Sequence, residues 1–193
     1  MGNKYIYFIV AGLLLAGNTK AQQFKKIDTI AKLGDAGYHV SCGNKKPDAN
    51  PLNVSPIGFK SEARPASFEI RGKVSGIAVD DFNDDGFPDL LIFYYTGNNN
   101  EIGNVVCISS SENSSLLPVG FPDIYNDPKL RPGYRGHDEF KVMVGTLLRT
   151  YPIYKDGDAD TPTGGKRVVQ YKMGMGEGDR PIFKVLRFYE KQD

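Results

Sequence analysis

Residues 79–95 read Val-Asp-Asp-Phe-Asn-Asp-Asp-Gly-Phe-Pro-Asp-Leu-Leu-Ile-Phe-Tyr-Tyr and place an acidic loop between two apolar stretches. Val74 and Ile77 extend the first stretch towards the N-terminus, and 90–95 is a β-rich apolar run of strand length. Gly86 gives the loop a residue that adopts positive φ at little cost. The sequence therefore predicts two strands joined by a tight acidic turn.

The acidic loop also carries oxygen ligands at a spacing that suits Ca²⁺. Asp81, Asn83, Asp85 and Asp89 stand at loop positions 1, 3, 5 and 9, which turns several hard oxygens towards one point. Position 12 is Ile92 and no helix is predicted beside the loop, so it resembles the calcium loops of β-propeller blade repeats rather than an EF-hand. The alternative is that the same side chains cap their own backbone N–H groups without a metal.

The whole chain has the length and the pattern of turn-forming residues that are typical of an all-β domain. Its 193 residues suffice for one domain with a real core. Several short apolar segments are separated by Gly, Pro and Asn, and no long helical period is present. We predict a single-domain antiparallel β-sandwich with long surface loops over 38–193, preceded by a poorly ordered segment at 22–37.

The distribution of charge argues against a nucleic-acid partner. The formal net charge is +1, with 24 Lys and Arg against 23 Asp and Glu. Lys25, Lys26, Lys45 and Lys46 form two separate pairs, which are most simply part of a solvated face.

The first 21 residues have the pattern of an export signal. Lys4 precedes an apolar run at 5–16 that is too short to span a bilayer comfortably. Thr-Lys-Ala at 19–21 offers small residues for cleavage after Ala21, and Asn18 stands where a lipoprotein signal would have Cys. We therefore expect 1–21 to be a signal peptide. The mature protein is then periplasmic or secreted and has no membrane anchor.

The mature chain keeps two cysteines, Cys42 and Cys107. An oxidising compartment favours a disulfide between them. The alternative is that Cys107, which lies in an apolar run, is a free buried thiol.

The segment around His137 is the one place that suggests catalysis. His137 lies beside Asp138 and Glu139, and a general base oriented by Asp138 would have this composition. The simpler interpretation is that this segment hydrogen-bonds a long loop to the sheet. The chain has two His residues and no nucleophile in an elbow-type context, so we predict no catalytic residue and no required cofactor.

Three segments together resemble one family, the bacterial periplasmic inhibitors of invertebrate-type (I-type) lysozyme. The first is the acidic stretch at 79–90. The second is Gly-Tyr-Arg-Gly-His-Asp-Glu-Phe at 133–140, and the third begins with Arg-Thr-Tyr-Pro-Ile-Tyr-Lys-Asp-Gly-Asp at 149–158 and continues through Pro-Thr-Gly-Gly-Lys-Arg at 162–167 to Tyr171. The second and third segments are more specific to this family than the acidic loop is. The resemblance covers most of the chain from about Tyr38.

This resemblance implies an exported β-sandwich that binds I-type lysozyme as a protein partner and blocks its cleft with a loop. It also implies a homodimer. The family's inhibitory loop follows the apolar strand after the acidic hairpin and carries a Ser-Gly…Tyr signature. The corresponding loop here is Thr96, Gly97, Asn98, Asn99, Asn100, Glu101, Ile102 and Gly103, with Ile102 near the place of the Tyr.

The loop therefore corresponds to the family's loop in position but not in its inhibitory residues. Lysozyme clefts use carboxylates, to which the Asn amides and the N–H of Gly97 could donate. Tyr94 and Tyr95 at the end of the preceding strand are candidates to replace the missing aromatic anchor.

Overall fold

A computed structural model describes residues 24–60, 62–99 and 101–192. These residues form twelve β-strands in three antiparallel sheets of four strands each. The predicted signal peptide at 1–21 lies outside the described residues. No helix in the described ranges is long and apolar enough to cross a bilayer.

Sheet 1 contains the strands β1 to β4 in chain order. They are β1 (Ile27–Leu33), β2 (Ala36–Cys42), β3 (Asn50–Ile57) and β4 (Ala66–Ile70). The prediction of a poorly ordered segment at 22–37 is wrong for β1, which pairs along its length with β2 from Ile27↔Cys42 to Leu33↔Ala36. The apolar residues of this segment have no clean alternation, so its strand conformation depends on pairing with β2.

Sheet 2 contains the predicted acidic hairpin. Its strands are β5 (Lys73–Asp80), β6 (Asp89–Thr96), β7 (Ile102–Ser110) and β8 (Leu116–Val119), in that order. Leu90, Leu91 and Ile92 of β6 are all fully buried. A run without alternation is what a strand needs when both of its faces are covered.

Sheet 3 is built by the last third of the chain. Its strands are β9 (Glu139–Met143), β10 (Thr146–Pro152), β11 (Lys166–Met175) and β12 (Pro181–Lys191), in the order β12-β11-β10-β9. Two short 3₁₀ turns occur at Ile124–Asn126 and Glu177–Asp179. The long segment between sheets 2 and 3 contributes Ile124, Leu130 and Tyr134 to the core.

Two hydrophobic clusters lie on the two faces of sheet 2. Leu90 and Ile92 pack with Tyr38, Val40 and other residues of sheet 1. Leu91, on the opposite face of β6, packs with Leu147 and other residues of sheet 3. The all-β prediction is confirmed. The two-sheet sandwich is not confirmed, because sheet 2 is covered by a further sheet on each face.

The predicted disulfide is wrong. Cys42 and Cys107 are both free and buried. Cys42 belongs to the cluster between sheets 1 and 2, and Cys107 belongs to the cluster between sheets 2 and 3. The alternation of β7 turns the Cys107 side chain away from sheet 1, so the two thiols lie on opposite sides of a sheet.

Candidate partner-binding loop

The loop at 96–103 is the connection between β6 and β7. Thr96 pairs with Ile102 at the end of the ladder, and Gly97, Asn98 and Asn99 are exposed beyond it. Asn100 lies outside the described residues. The predicted binding loop is thus a short hairpin tip, and the side-chain amides of Asn98 and Asn99 are exposed to solvent.

Glu101 folds back onto its own loop. Its Oε2 accepts a 2.8 Å hydrogen bond from the backbone N–H of Asn99. Gly97 has φ of 94°, and a Cβ there would lie 2.5 Å from the Glu101 carboxylate. The positive φ favours glycine at 97, and a larger residue there would displace the Glu101 carboxylate. The carboxylate of Glu101 stabilises the tip instead of projecting towards a partner.

The base of the loop is fixed by the buried carboxylate of Asp138. One oxygen, Oδ2, accepts hydrogen bonds from the Gly103 N–H and the Tyr134 hydroxyl, both at 2.7 Å. The other, Oδ1, accepts from Nε of Arg149 at 2.6 Å. The Tyr95 hydroxyl donates to the Asp138 carbonyl oxygen at 2.8 Å. This Asp138 network joins the loop base to the 133–140 segment and to β10.

Arg149 binds the same loop from sheet 3. Its side chain is buried, and its Nη2 donates to the Gly103 carbonyl at 2.8 Å and to the Tyr134 hydroxyl at 2.7 Å. Burial alone would lower the pKa of the guanidinium, but the adjacent Asp138 carboxylate raises that pKa above its usual value, so Arg149 stays charged. Gly103 is thus held at its N–H by an anion and at its C=O by a cation.

The base of the loop is also closely packed. A Cβ on Gly103 would lie 2.6 Å from Cβ of Asp138. A Cβ on Gly136 would lie 2.5 Å from the Glu101 carbonyl oxygen, to which the His137 N–H donates. Gly103 and Gly136 therefore let the loop and the 133–140 segment approach each other closely.

His137 and Asp138 do not form the geometry of an oriented base. The Asp138 oxygens accept from Gly103, Tyr134 and Arg149, while the His137 ring is exposed and lies 6.3 Å from the ring centroid of Tyr154. These contacts favour the simpler interpretation, in which this segment hydrogen-bonds a long loop to the sheet.

An open pocket of about 380 Å³ lies beside the loop tip. Asn99 and Glu101 form one side, and Arg135, His137 and Tyr154 contribute to the rest. The Arg135 guanidinium lies 4.6 Å from the Tyr154 ring centroid and donates to the backbone carbonyls of residues 158 and 159. These contacts fix a cationic group next to the hairpin tip.

Sequence reasoning missed an exposed aromatic residue near this loop. Tyr125 is 45% exposed and packs edge-on against Tyr134, with ring centroids 5.2 Å apart. Burial and the nearby carboxylates of Asp138, Asp123 and Glu101 raise its pKa. By contrast, the suggested substitute Tyr95 is buried and bonded to Asp138, so it cannot serve as an exposed anchor.

The side chains of the acidic hairpin bond mainly to their own backbone. Asp81 accepts from the N–H groups of Asp85 and Gly86 at 3.0 and 2.8 Å, and Asp85 accepts from Phe87 at 2.8 Å. Asn83 donates to Asp85 at 2.8 Å. The described residues contain no group of three or more His, Cys, Asp or Glu side chains placed to hold a metal ion. The contacts match the capping alternative.

Asp89, the last predicted calcium ligand, is fully buried below the turn. Its Oδ2 accepts from the Phe82 N–H at 2.9 Å, and its Oδ1 has no partner among the described residues. Burial raises the pKa of Asp89 to about 6, and the hydrogen bond from the Phe82 N–H only partly offsets this effect.

Comparison with models of known protein families, with curated proteins and with solved structures found no match. The function is therefore inferred from the geometry of the loop and from the sequence segments that build it.

Proposed function

We propose that this chain is an exported, non-enzymatic inhibitor of I-type lysozyme that occludes the enzyme's active-site cleft with the 96–103 loop. Export through the N-terminal signal and pairing into a homodimer are parts of the same proposal. No cofactor is needed for this mechanism.

The observation that carries the proposal is the rigid attachment of a short exposed loop to a buried ion pair. The two more specific segments of the family resemblance both contribute to this attachment. Tyr134 and Asp138 come from the 133–140 segment, and Arg149 begins the third segment. A preorganised loop loses little conformational entropy when it binds, which favours recognition of a concave enzyme surface.

The exposed groups near the loop are suited to a cleft that contains carboxylates. Asn98 and Asn99 are exposed amides, and Arg135 adds a cation beside them. Glu101 is turned back onto the Asn99 N–H, which reduces its repulsion of an acidic cleft. Tyr125 supplies the kind of exposed aromatic side chain on which protein interfaces commonly depend.

The alternative prediction is a calcium-stabilised surface or adhesion-type module with another ligand. It has weaker support, because Asp81 and Asp85 already accept backbone hydrogen bonds and Asp89 lies buried beneath them.

The proposal is tested by following the lysis of peptidoglycan by an I-type lysozyme with increasing amounts of the purified chain. Goose-type and chicken-type lysozymes serve as controls for selectivity. We expect inhibition of the I-type enzyme alone. Undiminished I-type lysis at a micromolar excess of the folded chain would refute the proposed activity.

A matched pair of tyrosine variants locates the binding surface. Tyr125→Ala removes an aromatic ring 45% exposed beside the loop, and Tyr189→Ala removes one 50% exposed on β12. We expect Tyr125→Ala to weaken inhibition by about tenfold or more and Tyr189→Ala to leave it unchanged. Equal effects of the two substitutions would exclude a binding surface centred on the loop.

A further inference from the structure

The outer face of sheet 1 carries an open pocket of about 530 Å³, away from the partner-binding loop. Asp28 of β1, His39 and Ser41 of β2 and Asn53 of β3 line its floor. The loop between β2 and β3 forms one wall. The size falls within the range of small-molecule sites.

Asn44 fixes one end of this β2–β3 loop. It is buried with φ of 49°, and its amide donates to the carbonyls of Lys25 and Val74 at 2.6 and 2.7 Å. Its Oδ1 accepts from the Val74 N–H at 2.9 Å, and the Lys73 ammonium donates to its carbonyl. The loop is thereby bonded to the first strand of sheet 2.

Asn50 fixes the other end in the same way. It is 1% exposed, accepts from the Lys46 N–H at 3.0 Å, and donates to the carbonyls of Lys46 and Gly72 at 2.7 Å. Two buried asparagines thus hold a short loop at both ends. The loop presents Lys45 and Lys46 from a fixed backbone.

The fold brings together lysines that are scattered in the sequence. Lys26, Lys45 and Lys46 all line this pocket. The pocket's carboxylate, Asp28, already accepts hydrogen bonds from Lys26 at 2.7 Å and His39 at 2.8 Å, and these two groups lower its pKa. Within the described ranges, neither Lys45 nor Lys46 forms an ion pair.

We propose that this pocket binds a small anionic ligand, namely a ring-sized molecule that carries a phosphate or carboxylate group. Lys45 and Lys46 contact the anionic group, and the hydroxyl of Ser41 and the amide of Asn53 contact the polar groups of the ring. The fixed loop favours such a site, because the backbone that carries the two lysines needs little reorganisation when the ligand binds. Binding is electrostatic and therefore weakens as salt is added.

The proposal is tested by titrating the full isotope-labelled chain at low ionic strength and following its backbone amide resonances. The probes are glucose 6-phosphate, glucuronate, inorganic phosphate and, as the neutral control, glucose. We expect saturable shifts at Ser41, Lys45, Lys46 and Asn53 with the charged sugars and none with glucose. The relative affinities of the phosphorylated and carboxylated sugars identify which anionic group the pocket prefers.

A matched pair of double variants tests whether binding depends on the lysines of the pocket or on surface charge in general. Lys45→Ala/Lys46→Ala removes both charges from the pocket, and Lys129→Ala/Lys141→Ala removes two exposed charges from elsewhere on the surface. We expect the first to weaken binding by about tenfold or more and the second by less than about twofold. The proposal is overturned if no probe shifts the pocket residues, if glucose binds as well as the charged sugars, or if the two variants lose affinity equally.

Discussion

Asp138 and Asp89 are both buried carboxylates, but among the described residues only Asp138 has a cation beside it. Asp138 is 4% exposed and shares its two oxygens among Arg149, Tyr134 and the Gly103 N–H. Asp89 is 0% exposed, and its Oδ1 has no partner in the described part of the chain. A buried charge is tolerated when it is paired and fully hydrogen-bonded, and it is costly otherwise.

The difference assigns separate roles to the two ends of the β6 strand. At its C-terminal end, the Asp138 network holds the exposed loop in one position. At its N-terminal end, Asp89 stabilises the turn by accepting a hydrogen bond from the Phe82 N–H. The burial of its charge nevertheless has an electrostatic cost. Burial raises the pKa of Asp89 to about 6, so the folded chain binds a proton there more readily than the unfolded chain does.

The largest expected effect is that of Arg149→Met. This variant leaves Asp138 buried without its cation, so we expect the free energy of unfolding to fall by about 3–5 kcal/mol. Denaturant unfolding measures the loss. The double variant Arg149→Met/Asp138→Leu removes both charges and should recover much of that stability without restoring lysozyme inhibition. A single variant as stable as the wild type would contradict the role assigned to the pair.

Gly103→Ala should have the second-largest effect, because it adds a methyl group beside the Asp138 network without changing any charge. A Cβ at Gly103 would lie 2.6 Å from Cβ of Asp138 and 2.8 Å from Cε2 of Phe140. We expect Gly103→Ala to lower the free energy of unfolding by about 2–3 kcal/mol and to weaken inhibition. Gly174→Ala is the matched strand control, because nothing lies within 4 Å of its Cβ position. Equal stability of the two variants would show that the loop base is not closely packed.

Asp89→Asn should have a smaller effect and one of opposite sign. The contribution of Asp89 to stability is complete below the unfolded-state pKa of about 4 and is lost as the pH rises through about 6. At pH 7 we therefore expect the Asn variant to be more stable than the wild type by about 1–2 kcal/mol. Thermal unfolding at pH 4 to 7 measures the difference, and identical pH dependences would contradict it.

Asp81→Ala should have the smallest effect. It removes the acceptor for the Asp85 and Gly86 N–H groups at an exposed turn, which costs about 1 kcal/mol. Because the capping is internal, we expect the same melting temperatures in Ca²⁺ and in chelator. A wild-type melting temperature that rises with Ca²⁺, together with an unresponsive variant, would contradict capping without a metal and support the predicted calcium site.

The sequence predicted the two strands that flank the acidic turn, because the residues on both sides of that turn are mainly apolar. The structure buries Leu90, Leu91 and Ile92 of the second strand completely. It did not predict β1, which has no clean alternation, or β8, which contains Pro118. Pro118 is exposed on an edge strand, where a missing N–H leaves no pairing partner unsatisfied.

The candidate site was predictable in position but not in structure. The loop follows a recognisable strand, so its place at 96–103 could be read from the chain order. The register of β9 against β10 places Arg149 close to Asp138, but the contacts of this pair with Gly103 depend on how sheets 2 and 3 pack. Tyr125 lies in a segment without periodicity. The wrong disulfide has a related cause, because spacing does not tell which face of a sheet a cysteine occupies.

Amide hydrogen exchange at Gly103 is the most direct test of the claim that a buried ion pair holds an exposed binding loop. In the free chain, we expect the Gly103 N–H to exchange only when the whole fold opens and the exposed Asn99 N–H to exchange rapidly. Addition of I-type lysozyme should then protect Asn99. Rapid exchange at Gly103 in the free chain would contradict the account, because the base of the loop would then be mobile.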